Sequence, residues 1–251
     1  MKDYQDKYIW IIGASSGIGR ALAHELANRG ATLTLSARNR SALEELAMEL
    51  EGAHRVISLD VADTDSVLNA SRSINSVFPR LDSVIFMAGI YQPMTLDNLD
   101  MDSLQQLVEI NLVGAFNVVH AVLPILSAQK NGQIALCGSV SGYTGLPNGQ
   151  PYSATKAAII NLAESLRAET RNKGIDVKLI NPGFVKTPMT ELNNFSMPMI
   201  IEPEDAANII ATQLQSNRFE IHFPKKFSCI MKILTFLPYN LYFYLMTKLD
   251  R

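Results

Sequence analysis

Tyr152 and Lys156 stand four residues apart in Tyr152-Ser153-Ala154-Thr155-Lys156. If that stretch is helical, the spacing puts a phenol and an ammonium on one face. The positive charge then favours the phenolate and lets the phenol exchange a proton near neutral pH. Delivery of a hydride to a carbonyl needs such a group. Ser139 follows an apolar run at residues 133–137 that reads as a strand. A hydroxyl at such an exit could orient the same oxygen, although Ser139 by itself reads equally well as a turn or cap.

These side chains need a framework, and the chain supplies one in repeated strand-helix alternation. Tyr8–Ile12 reads as a short buried strand. It runs into Gly13-Ala14-Ser15-Ser16-Gly17-Ile18-Gly19-Arg20 and a helix carrying Ala21, Leu22, Leu26 and Ala27. Strand, glycine-rich turn and helix in that order present backbone N–H groups and the positive helix end to a pyrophosphate. Without a ligand, the same glycines would simply make a tight connection.

The next strand covers residues 31–36 and is followed by Ala37-Arg38-Asn39-Arg40, with no Asp or Glu where a ribose 2′-hydroxyl is usually received. This favours NADP(H) over NAD(H), with Arg38 available to the added phosphate and Arg40 a weaker contact. The alternative for Arg38 is an ordinary solvent-facing side chain.

Further strands are expected at residues 55–59 and 83–87, with a helix at 65–78 between them. Asp60, at the first of these exits, either meets an adenine at the cleft edge or caps the next element. Ala88 and Gly89, at the second, allow close cofactor approach or form a plain turn. Asn111 lies within an apolar-periodic stretch from 104 to 126, so its amide enters the core only if hydrogen-bonded. Asn117 and His120, on the same expected helix, read as structural.

Taken together, these motifs resemble the short-chain dehydrogenase/reductase family from about residue 8 to residue 187. The resemblance rests on Gly13 through Gly19, Asp60-Val61, Ala88-Gly89, Asn111, Ser139, Tyr152 through Lys156, and Asn181-Pro182-Gly183-Phe184-Val185-Lys186-Thr187. It implies that Tyr152 exchanges the proton, Lys156 holds the nicotinamide ribose and Ser139 orients the substrate oxygen. Asn111 would help to hold Lys156 and a water-linked proton path. By the same resemblance Ser15, Ser16, Ile18 and Val61 belong to the cofactor cleft, Asp60 meets the adenine, and Pro182, Gly183, Val185 and Thr187 flank the nicotinamide. The family commonly has Asn before Ala-Gly after the fourth strand, whereas this chain has Met87, which loses a bracing amide and can replace it only by apolar packing. A homodimer or homotetramer is the assembly the resemblance implies.

The expected fold is a Rossmann-type doubly wound α/β domain, with a mostly parallel seven-stranded sheet and helices on both faces. Strands at residues 176–180 and 219–223 and a helix starting at Glu202-Pro203-Glu204-Asp205 complete it. Residues 188–201 lack a sustained period and could cover the substrate cleft. Met189, Leu192, Phe195, Met197 and Met199 would make an apolar, adaptable lid, or else merely close the core. Tyr143 and Leu146 are further candidates for the opening. The lid suggests a substrate larger or greasier than a compact sugar, and the expected partner is a small hydrophobic or lipid-like carbonyl or alcohol.

Residues 225–251 form an apolar extension. Lys232, Pro238 and Asn240 interrupt it, which argues against one spanning helix and permits two short helices around a proline break. Lys225, Lys226 and Lys248 could meet lipid headgroups, so peripheral membrane contact stands beside an oligomer contact or substrate-covering surface, with purely internal packing a third reading.

A chain of 251 residues with a formal charge of −2 fits one large domain and offers no electrostatic argument for nucleic acid. Cys137 and Cys229 form no disulfide framework, and four scattered histidines give no metal-ligand spacing, so no metal is expected. The amino-terminal residues lack a signal-peptide pattern, so a cytoplasmic location, or a membrane surface facing the cytoplasm, is expected. The reading is an NADP(H)-dependent oxidoreductase interconverting a ketone and a secondary alcohol. A noncatalytic NADP(H)-responsive interaction protein is the alternative from another functional class.

Overall fold

The computed structural model describes residues 3–147 and 149–249. Its strands are β1 (Tyr8–Ile12), β2 (Thr32–Ser36), β3 (Arg55–Val56), β4 (Ser83–Phe86), β5 (Gly132–Cys137), β6 (Ile175–Pro182) and β7 (Glu220–Phe223). They pair in the order β3-β2-β1-β4-β5-β6-β7, and every pair is parallel. The sheet is therefore wholly rather than mostly parallel. Such a sheet is covered on both faces, which is why its central strands read as unbroken apolar runs.

The helices are α1 (Gly17–Asn28), α2 (Arg40–Glu49), α3 (Thr64–Val77), α4 (Met101–Val108), α5 (Gly114–Gln129), α6 (Tyr152–Thr170), α7 (Pro203–Leu214), α8 (Lys225–Thr235) and α9 (Tyr239–Leu249). Successive strand residues point to opposite faces. Ile9 and Ile11 of β1 accordingly join one core with Leu22 and Leu26 of α1, Leu43 and Leu46 of α2, and Ile210 and Leu214 of α7. Trp10 and Ile12 join the other with Val67 and Ile74 of α3, Val118 and Val122 of α5, and Ile159 and Ala163 of α6. Trp10 is fully buried because its indole N–H finds the Ser36 hydroxyl at 2.9 Å.

Helix starts follow local chemistry. Asp63 accepts hydrogen bonds from the N–H groups of Asp65 and Ser66, and Asn39 from that of Ala42, each capping the helix behind it. Pro203 opens α7 with Glu204 and Asp205 in its first turn. The third strand is shorter than its apolar pattern, two residues instead of five, although the N–H groups of Ile57 and Leu59 still donate to the Leu35 and Ala37 carbonyls. Between α4 and α5 the chain makes a π-helical turn, Glu109–Val113, with Asn111 inside it. The continuous stretch Met101–Gln129 is, among the described residues, long and apolar enough to cross a membrane, yet 56% of its most apolar 18-residue window is buried in this fold.

The strand order reverses between β1 and β4, which opens a crevice at the carboxyl ends of the strands. Every candidate site residue lies at or beside that end.

Candidate active site

The loops after β1 and β4 meet at the switch point. Gly13 has φ +95°, and a Cβ there would lie 2.5 Å from the Ala88 backbone nitrogen, so only glycine lets the two loops touch. Its N–H and that of Ala14 donate to the Ser36 carbonyl at 2.7 and 3.1 Å, tying the turn to β2. A Cβ at Gly19 would overlap the Gly13 carbonyl oxygen, so the turn closes against the first turn of α1. The Ser16 side chain does not cap α1, and N–H groups in the first turn of such a helix are suited to an anion.

Ser15, Ser16, Gly17, Ile18 and Gly19 line one end of a cleft of about 1800 Å³. Arg38, Asp60, Val61, Ala88 and Gly89 line it as well. Arg38 is exposed, and no carboxylate among the described residues pairs with it, whereas Arg40 is engaged by Glu44 at 2.7 Å. Asp60 borders the cleft and its Oδ1 accepts from the Ala62 N–H at 3.0 Å, while the cap of the next helix, α3, is Asp63 instead. Met87 stands where the family has an amide, packs against the core under the glycine turn and borders the cleft.

At the other end the tertiary fold gathers Ser139, Tyr152 and Lys156. Lys156 is 3% exposed, donates to the Cys137 carbonyl at 2.9 Å and sits 5.5 Å from the centre of the Tyr152 ring. The Ser139 hydroxyl accepts from the Ser141 N–H at 3.1 Å and lies 3.4 Å from the Pro182 carbonyl oxygen. It caps the following turn and also lines the cleft.

Burial pushes the Tyr152 phenol above its ordinary value, aided by Cys137 and Tyr91 and opposed by a hydrogen bond to Ser139. Burial likewise pulls the Lys156 ammonium down, with Cys137 opposing. Desolvation therefore runs against the phenolate that the four-residue spacing alone suggests.

Asn111 is fully buried and its amide is satisfied. Its Oδ1 accepts from the Ile90 N–H at 2.8 Å, and its Nδ2 donates to the Ile90 carbonyl at 2.9 Å and to Thr155 Oγ1 at 3.3 Å. A Cβ at Gly89 would sit 3.3 Å from Asn111 Oδ1 and 3.4 Å from Lys156 Nζ, so these groups converge on one point of the cleft floor. The Asn111 side chain pins the loop after β4 against α6, and none of its hydrogen bonds goes to Lys156.

Pro182, Gly183, Val185 and Thr187 continue β6 along the cleft wall. Val185 bridges to Ile201, which closes the base of the intervening segment. Met189, Leu192 and Phe195 of that segment line the cleft, and Phe195 meets Phe184 edge-on at 6.0 Å. Met197 and Met199 are not among the lining residues. The Met197 sulfur instead accepts from Asn193 at 3.3 Å, and Met199 is exposed. Leu146 lines the opening, whereas the Tyr143 hydroxyl is taken by Glu220.

Two features have no signal in the sequence. Tyr91 meets the Tyr152 ring edge-on at 5.1 Å. Glu220 collects the Asn181 amide at 2.8 Å, the Tyr143 hydroxyl and the Lys232 ammonium. Burial pushes that carboxyl up, but these hydrogen bonds prevail and hold it below the usual range. No spacing relates residues 143, 181, 220 and 232, so only three-dimensional proximity identifies the cluster. In addition, Phe227 and Met231 of α8 and Met246 of α9 close the substrate end of the cleft.

Known proteins resemble this chain in sequence and in fold. A family model described as short chain dehydrogenase matches residues 7–196. A protein of Myxococcus xanthus, named as an uncharacterized oxidoreductase, is 32% identical over 92% of this chain and 93% of its own length. A 3-oxoacyl-acyl-carrier-protein reductase of Thermotoga maritima is 30% identical over 82% of this chain and 89% of its own. Among solved structures, an alcohol dehydrogenase of the archaeon Thermococcus sibiricus, complexed with 5-hydroxy-NADP, superimposes with a TM-score of 0.78 at 28% identity. That superposition covers 86% of this chain and 95% of the other.

Proposed function

The chain belongs to the short-chain dehydrogenase family of oxidoreductases, and from that premise we propose that it interconverts a ketone and a secondary alcohol on a hydrophobic molecule, using NADP(H). The observation that carries the proposal is one continuous cleft with Ser139, Tyr152 and Lys156 at one end and an uncapped helix start behind a glycine turn at the other.

The first-turn N–H groups of α1 suit a pyrophosphate, and Arg38 at the rim suits a 2′-phosphate. Ala37 in place of an acidic residue removes the group that would repel that phosphate. The NADP derivative in the Thermococcus sibiricus structure agrees with this preference. A bound nicotinamide supplies the hydride.

The remaining steps fall to the chain's own side chains. Tyr152, kept protonated by burial, donates its proton to the substrate oxygen during reduction. Ser139 donates a hydrogen bond to that oxygen and fixes its position. Lys156, held by the Cys137 carbonyl, presents its ammonium beneath the Tyr152 ring and to the ribose. Asn111 fixes the loop that carries Gly89 and Ile90 against α6. Leu192, Phe195, Met231 and Met246 give the substrate end an apolar, adaptable lining. The 3-oxoacyl reductase relative supports a substrate with a greasy body.

The test is a fluorescence titration with NADPH and NADH under identical conditions, followed by NADPH consumption on a panel of hydrophobic ketones. Tighter NADPH binding and turnover of at least one ketone are expected. Tighter NADH binding would reject the Arg38 assignment, and binding without turnover on any carbonyl or alcohol would favour a nucleotide-responsive interaction protein.

A further inference from the structure

We infer that the outer face of α8 and α9 docks on a lipid bilayer bearing anionic headgroups. Ser228 and Met231 of α8 are buried, while Lys226, Ile230, Ile233 and Phe236 follow one another at three- or four-residue spacing on its exposed side. Ile233 is 61% and Phe236 86% exposed. Helix α9 repeats the pattern. Tyr242 and Met246 are buried, and Tyr239 and Phe243 stack outside with ring centres 5.9 Å apart, beside exposed Leu241 and Tyr244. Exposed aromatic rings of this kind suit the boundary between headgroups and acyl chains.

The charge pattern selects the occupant. Residues 225–249 contain Lys225, Lys226, Lys232 and Lys248 and no Asp or Glu. Glu220 neutralises Lys232, which leaves Lys225 and Lys226 at the start of α8 and Lys248 near the end of α9. A two-fold contact with a second copy would set this acid-free, lysine-bearing patch against itself. An anionic membrane surface complements it. Each helix has 11 residues. At about 1.5 Å per residue that is roughly 16 Å, about half the hydrocarbon thickness, so the pair lies in the interface instead of crossing it.

The same helices contribute Phe227, Met231 and Met246 to the cleft, so their inner side meets substrate while their outer side meets lipid. A hydrophobic carbonyl could then enter from the bilayer without crossing water; this last step rests on the oxidoreductase reading, whereas the docking itself does not.

Full-length protein is floated with vesicles of phosphatidylcholine alone or mixed with phosphatidylglycerol. The variants are Ile233→Glu with Phe236→Glu, and Lys225→Glu with Lys226→Glu, none of which lines the cleft. Wild type is expected to float with the anionic vesicles and far less with the neutral ones. Each double variant should lower the bound fraction at least about tenfold, with Tm and turnover of a water-soluble ketone retained. Absence of flotation with anionic vesicles, or variants that keep their Tm and float like wild type, would overturn the inference. So would a wild-type dimer that ignores vesicles and becomes a monomer in the Ile233→Glu, Phe236→Glu variant, which assigns the face to a second copy. Flotation needs no turnover, so failure of the catalytic reading leaves this result interpretable.

Discussion

Replacing Tyr152 by Phe should abolish most of the turnover while leaving the fold and the nucleotide site intact. The substitution removes one hydroxyl. It keeps the ring, and with it the edge contact to Tyr91 at 5.1 Å and the position over which Lys156 sits. Lys156 retains the Cys137 carbonyl, and Ser139 retains Ser141 and the Pro182 carbonyl, so no buried polar group near the lost hydroxyl is left without a partner. The stability cost is therefore about 1 kcal/mol or less. NADPH affinity should stay within about threefold, because removing one uncharged hydroxyl shifts binding by well under about 1 kcal/mol. Loss of a positioned general acid lowers kcat by roughly a hundredfold to ten-thousandfold, about 2.7–5.4 kcal/mol of barrier. The assay pairs a thermal melt and an NADPH titration with NADPH consumption on a ketone the wild type reduces. Turnover within about threefold of wild type, with cofactor binding retained, would refute the assignment of Tyr152 as proton donor.

Arg38→Ala should weaken NADPH about fivefold to thirtyfold and leave NADH unchanged, read by parallel titrations, since the exposed guanidinium would contact only the added phosphate. Gly19→Ala forces a methyl into the Gly13 carbonyl and should weaken both cofactors alike, with a stability loss of about 1–3 kcal/mol seen in urea unfolding. Burial raises the phenols of Tyr4, Tyr143 and Tyr152 above the ordinary value of 10.0. Above that pH the unfolded chain has shed protons that the folded chain keeps, so these phenols should make the urea midpoint fall as the pH is raised beyond it.

Much of the site is legible in the sequence because its spacing is local. Gly13 through Gly19 lie between one strand and one helix, and Tyr152 and Lys156 lie one helical turn apart, so short-range geometry places them without the rest of the chain. The Asn111 amide was expected to need a partner in the core, and it has three, but the π-helical turn that aims it at Ile90 leaves no mark in the apolar period. The lid is a mixed case. Its location follows from the missing periodicity, while the exposure of Met199 and the turning of Met197 toward Asn193 leave no mark in the sequence.

The sequence by itself determines the strand-helix alternation, the apolar runs of a sheet buried on both faces, the glycine turn and the pairing of Tyr152 with Lys156 on one helix face. Each depends on neighbours within a few residues. Tertiary structure alone decides what is joined across long separations. It brings Tyr91 to Tyr152 and gathers Tyr143, Asn181 and Lys232 around Glu220. It also turns one side of α8 and α9 into the cleft and leaves the other apolar and exposed. The periodicity of a short amphipathic helix shows that it has two faces. Which face is covered depends on where the end of the sheet and the lid stand around it.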